Sequence, residues 1–369
     1  MKRASAHPRN PLVDLLKAVA AQLIVLHHLA WYGPLSDRAA ALAPSLASAI
    51  AWLADHGRYA VAVFLATGGF LAAQTLSAKG PAAGNHPLCL IRDRYLRLVL
   101  PFAAALLLAI VASALARQWM DHDSIGNRPT FFQVLAHLTL LHSLLGVESL
   151  SAGVWFVAID FQLYALLVTL LWLGGRLGCR STSAEFSCAL PVLALAAASL
   201  FHFNRDARWD ATGLYFFGAY ALGIAAGWAS RSPERNRLAR SIVFLAGAAL
   251  WLDFRPRIAL ALATALLLGG FRPLSAATGM KWAHHFGGTS YALFLVHFPI
   301  CLVVNAAFQR FAPGDPTVAA EGLFIAWLAS NLAAELFHRH VEQPLLRWQK
   351  RRLPCRIGGN GAKAAFTPA

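Results

Sequence analysis

The chain has 369 residues, of which 58% are hydrophobic and 13% charged, and its mean hydropathy is +0.53. A soluble domain carries about 25% charged residues, so this composition excludes a water-soluble globular protein and predicts a polytopic membrane protein. The formal charge of +15 does not mark a nucleic-acid binder, because no basic soluble domain is present to carry it.

Ten apolar runs have the length a bilayer requires, at roughly 11–32, 49–76, 98–117, 153–173, 186–201, 212–229, 241–253, 257–271, 287–309 and 317–337. The fold class is therefore all-α, with about ten transmembrane helices and no separate soluble domain. The membrane domain is expected over 11–345, followed by a basic, disordered tail over 346–369.

The first run, DLLKAVAAQLIVLHHLAWYG, carries Lys17 and His28 eleven residues apart. Eleven helical steps end roughly 20° past three full turns, so both side chains share one face, about 16 Å apart along the axis. Asp14 precedes Lys17 by three residues and can pair with it on that face. His27 lies about 100° away, which makes His28 the candidate. Charged and titratable groups in a membrane helix are costly and usually face a bundle interior or a polar cavity. The second run contains VFLATGGFL, whose Gly68 and Gly69 permit close backbone approach.

Before the third run stands RDRYLRLVLP. Arg94 and Arg97 are one turn apart and can clamp phosphate or pyrophosphate as a fork pair. The stretch 131–150 is apolar but broken by His137, His142 and Glu148, and is expected to be interfacial or re-entrant. The fourth run, GVWFVAIDFQLY, buries Asp160, with Gln162 and Tyr164 nearby. An intramembrane carboxylate is a functional candidate that can orient an imidazole. In the ninth run, FGGTSYALFLVHFPI, His297 follows Ser290 by seven residues on nearly the same face. After the last run, Glu342 and Pro344 of HRHVEQPLLRW read as a helix stop and an anchor. The five cysteines show no metal-ligand spacing and are expected as free thiols, so no metal site is expected.

Lys and Arg fix the expected orientation. With the N-terminus cytoplasmic, the inside segments hold 23 of the 32 and the outside loops 9, the positive-inside pattern. Both termini are then cytoplasmic.

Taken in order, these segments resemble the membrane acyltransferase-3 family, O-acyltransferases that decorate bacterial surface polysaccharides. Lys17 and His28 match the family's basic residue, ten others, then His. Arg94 and Arg97 match its Arg-x-x-Arg, FLATGGFL resembles FF-x-x-SGFL, and WFVAIDFQLY resembles W-S-L-x-x-E-x-Q-x-Y. SYALFLVHFP resembles SYxLYLxHxP, and Val341-Glu342-Gln343-Pro344 resembles I-E-x-P. The departures are Gly68 for Ser, Phe156 for Ser, and Asp160 for Glu.

The resemblance implies an enzyme of the inner (plasma) membrane that transfers an acyl group, acetyl being expected, to a carbohydrate hydroxyl. It implies acyl-CoA, acetyl-CoA being expected, as donor substrate and no bound cofactor. The acceptor would be a lipid-linked or exported glycan, with room for a separate extracytoplasmic acyl-transfer partner. In that frame Arg94, Arg97, Lys17, Asp14 and His297 would bind the donor or substrate. His28 would act as general base or acyl carrier, with Asp160 orienting it. The rival readings are a proton-coupled secondary transporter or flippase, served by intramembrane Lys, Asp and His, and an inactive scaffold member of the family.

Overall fold

A computed structural model describes residues 10–79, 87–178, 184–229, 233–270, 281–312 and 314–352. Every regular element among them is helical. The first helix, α1 (Pro11–Trp31), begins at Asn10, whose side chain accepts from the Leu12 N–H at 3.0 Å, with Pro11 just inside the start and Asp14 in the first turn. It stops at Tyr32 and Gly33 (φ +106°), and α2 (Pro34–Ala40) continues in the same direction. The chain then turns back through α3 (Pro44–His56) and a 3-10 turn at Gly57–Tyr59 into α4 (Ala60–Lys79). Leu46 and Ile50 pack against Leu35 and Ala39, and His27 donates to the Leu53 carbonyl at 3.1 Å. Thus α3 runs antiparallel to the α1–α2 pair, and the second apolar stretch starts at Pro44 rather than near 49. Both outgoing and returning spans are broken at one depth, beside His27 and His28.

The next helix, α5 (Pro87–Trp119), begins eleven residues before the expected start. The Arg92–Arg97 segment is therefore inside the helix, not ahead of it. A short helix, α6 (Phe131–Leu138), is closed by a Thr130–Gln133 capping box. The connection beyond it folds back on α6: Gln133 Nε2 donates to the Glu148 carbonyl at 2.8 Å, and the Leu150 N–H donates to His137 Nε2 at 3.1 Å. The Tyr95 hydroxyl donates to the Leu138 carbonyl at 2.8 Å. This hairpin packs beside the bundle without crossing it.

The remaining helices are α7 (Trp155–Gly178), α8 (Ala184–Phe201), α9 (Gly213–Ala229), α10 (Pro233–Leu252), α11 (Pro256–Gly270), α12 (Lys281–Phe311) and α13 (Pro316–Phe337). A π turn at His338–Glu342 leads into α14 (Gln343–Arg352). Among the described residues, each of the ten expected apolar runs is helical over most of its length. Six helical stretches are long and apolar enough to cross a membrane, and three shorter apolar helices accompany them. The protein is an all-α polytopic membrane protein. Residues 346–352, expected in the tail, are helical, and Gln349 Nε2 donates to the Asp93 carbonyl at 3.0 Å. The rest of the tail lies outside the described residues. Of the cysteines, Cys301 is a buried free thiol, whereas Cys89 is disulfide-bonded.

Two packing centres hold the bundle. Helix α9 carries no charged residue and is buried all round, the pattern of a central helix. It packs against α4 so closely that a Cβ on Gly223 would overlap the Ala66 carbonyl, and one on Gly69 the Tyr220 carbonyl. Small residues permit such backbone approach in membrane bundles. The second centre joins α1, α5, α12 and α13. It holds the candidate site. Below, the near face is the one where α1 begins.

Candidate active site

His28 and His297 meet in the second centre. Both are buried, and His28 Nδ1 lies 2.6 Å from His297 Nε2. The ring planes are within 3° of parallel and the centroids 4.9 Å apart, so the rings lie edge to edge along the bond. Chemistry assigns the protons. His297 Nδ1 is 2.9 Å from the Leu293 carbonyl, which only accepts, so Nδ1 carries the hydrogen. In the neutral ring Nε2 is then an acceptor, and His28 Nδ1–H donates to it. That leaves the lone pair of His28 on Nε2. Nε2 bonds to no described residue and is not among the polar atoms sealed from solvent. It opens on a cavity of about 330 Å³ that His28 lines together with Tyr32, Arg58, Ser151, Gly153 and Trp155. Gly153, at φ +85°, closes over the imidazole; a Cβ there would sit 3.6 Å from His28 Cε1 and 3.3 Å from the Phe294 ring. The positive φ suits glycine, and the absent side chain leaves the ring uncovered.

Asp160 does not orient His28. Its Oδ2 pairs with Arg94 Nη2 at 2.6 Å, the side chains being 15% and 26% exposed. The reason is packing. Helix α7 meets α5, whereas α1 lies against α12 and α4, so the imidazole of α1 finds its partner on α12. Arg94 also lies over the Tyr164 ring, 5.3 Å from its centroid. Gly68 faces the same pair: a Cβ there would be 3.4 Å from the Tyr220 ring and 3.8 Å from Asp160 Oδ1. Arg97, one turn after Arg94, is exposed and pairs with no described carboxylate. The two arginines therefore do not act as an unoccupied fork, because Arg94 is held by Asp160.

Asp14 pairs with His284: its Oδ2 is 2.7 Å from His284 Nδ1. Glu342, read from sequence as a helix stop, is buried and pairs with His338 at 2.7 Å inside the π turn. Together these groups form a ladder. His284 lies thirteen residues, about 20 Å of helix rise, before His297 on α12. Tyr291, six residues before His297, donates to the Leu98 carbonyl at 3.0 Å, and Arg94 is one turn before Leu98. Polar groups thus run from Asp14 and His284 at the near face, past Arg94 and Asp160, to the imidazole pair at mid-depth.

Sequence reasoning missed His284, Tyr220, Gly153 and Arg58. The last was visible as a cation inside the second apolar run, on the side where the positive-inside pattern leaves few. Among the described residues no group of three or more metal-ligating side chains occurs.

A family model described as an acyltransferase domain matches residues 10–333. No curated protein and no solved structure matches the chain.

Proposed function

The chain belongs to the membrane acyltransferase-3 family that its motifs resemble, and we propose that it is an O-acyltransferase moving an acyl group, acetyl first among them, from acyl-CoA at the near face to a hydroxyl of a cell-surface or exported carbohydrate. The observation that carries this reading is the tautomer-locked His28–His297 pair with its free Nε2 on a cavity at mid-depth. The near face is cytoplasmic in this reading, supported by 23 of the 32 Lys and Arg falling on that side. The membrane is then the inner (plasma) membrane. Arg97 and Lys17 would meet the phosphates of CoA, and the Arg94–Asp160 pair would hold the wall past which the acyl arm reaches.

The chemistry then follows from the free lone pair. Nε2 takes the proton of the acceptor hydroxyl as its oxygen bonds to the acyl carbon. The C–S bond breaks, and the proton passes to the departing CoA thiolate. General-base assistance of this kind supplies about 10²–10⁴-fold. The test is CoA release and label transfer from radiolabelled acetyl-CoA by protein in nanodiscs. His28→Ala is expected to abolish both while the protein stays inserted and folded. Turnover by that variant at the wild-type rate removes His28 from the reaction. Absence of turnover in folded wild type, with solute flux instead, moves the reading to a transporter.

A further inference from the structure

A second cavity, of about 470 Å³, adjoins the imidazole chamber and shares Arg58, Val61 and Trp155 with it. Its lining also includes Arg257 and Asp210 and the rings of Tyr215 and Phe216. Resting on the acyltransferase reading, we propose that this cavity is the acceptor vestibule and that it selects a sugar bearing an anionic group, a carboxylate or a phosphate.

Three observations carry this. The first is charge. The outside loops of the expected topology hold nine Lys and Arg. Arg205, Arg208 and Arg255 pair with Asp253 or Asp206, and Arg117 donates to the Gly126 carbonyl. Arg38, Arg58, Arg128, Arg257 and Arg310 have no ion pair among the described residues, and of these five Arg58 and Arg257 both line this one cavity. Asp210, in the same lining, forms an ion pair with neither, so the two guanidinium groups are open to a ligand while the carboxylate remains an acceptor for sugar hydroxyls. Guanidinium forks suit carboxylate and phosphate geometry.

The second is shape. Volumes of about 300–1,000 Å³ lined by rings and a few polar groups are typical of small-molecule sites. Flat rings beside hydrogen-bonding groups suit the C–H face and hydroxyl edge of a pyranose. The third is connection. Arg58 belongs to both cavities, so an anion held between Arg58 and Arg257 places the rest of the sugar at the Trp155 boundary, beside the chamber onto which His28 Nε2 opens.

The experiment is equilibrium binding, without donor, to purified protein in nanodiscs. The probes are methyl glucuronoside, glucose 6-phosphate and neutral methyl glucoside. At least one charged probe is expected to bind about tenfold tighter than the glucoside, and the better of the two separates a carboxylate-bearing glycan from a phosphate-bearing one. Arg257→Gln and Arg58→Gln are each expected to collapse that preference, and Arg257→Lys to keep most of it. Equal affinity for all three probes, no binding of any, or a preference that survives in the double Gln variant overturns the proposal. The two readings fail separately. Charge-selective binding without CoA release removes acyl transfer and keeps the anion site; CoA release indifferent to acceptor charge does the reverse.

Discussion

His297 decides which nitrogen of His28 is free, and it does so through one backbone carbonyl. Replacing it with leucine removes the acceptor for His28 Nδ1–H, so the imidazole can rotate or change tautomer. His297→Leu is expected to lower kcat by roughly 10²-fold, within the range of general-base effects, with KM for acyl-CoA nearly unchanged. His297→Gln keeps an acceptor oxygen and should recover part of that loss; equal loss in both variants would refute a positioning role. Single polar residues such as these were legible in the sequence, because His28, Asp160 and His297 each interrupt an apolar run. Their partners were not. His28 and His297 are 269 residues apart, and Arg94 and Asp160 are 66 apart. Periodicity shows which face a residue occupies on its own helix and says nothing about which helix lies opposite. Hence Asp160 was matched to His28, while the folded chain gives it to Arg94.

The elements themselves were largely legible, since length and hydropathy are what a bilayer selects. The breaks were not, because Gly33 and the Gly57–Tyr59 turn sit within or beside apolar stretches that a length criterion reads through. The contact between α4 and α9 makes its own prediction. Gly223→Val drives a side chain into the Ala66 backbone and is expected to cost about 3 kcal/mol, the upper range for overpacking, read as a lowered melting temperature in detergent. Gly247→Ala on α10, with open space around it, should leave melting unchanged or slightly raised, since alanine is the better helix former. The α6 hairpin gives a pH prediction. The His137 and His142 rings stack 4.1 Å apart, both ring nitrogens of His142 lack a partner, and burial first, then His137, lowers the His142 pKa to about 4. A depressed histidine is neutral when folded and takes a proton more readily when unfolded. Its contribution is therefore complete above pH 6.5 and is lost as pH falls toward 4, by up to about 3 kcal/mol. Amide exchange in 139–153 should accelerate over that window, and His142→Phe should flatten the response. An exchange rate indifferent to pH beyond the intrinsic chemical trend would contradict the burial argument.

At the scale of the whole molecule, the ten apolar runs anticipated an all-helical membrane bundle. They did not show that the site lies at mid-depth, because α2 extends α1 beyond the point where the apolar run seemed to end. Nor did they show how uneven the bundle is. The packed pair α5 and α12, of 33 and 31 residues, measures about 50 and 46 Å along its axes, whereas the described part of α11, 15 residues, measures about 22 Å. The hydrocarbon layer is about 30 Å thick. Long helices meet that mismatch by tilting and short ones by thinning the lipid around them. On α11, Leu266 and Leu267 face outward. Arg257 and Ile258 of that same helix line the vestibule. In the acyltransferase reading proposed above, one helix then joins the lipid-facing flank to the vestibule, and an acceptor carried on a lipid tail would reach its site from within its own leaflet.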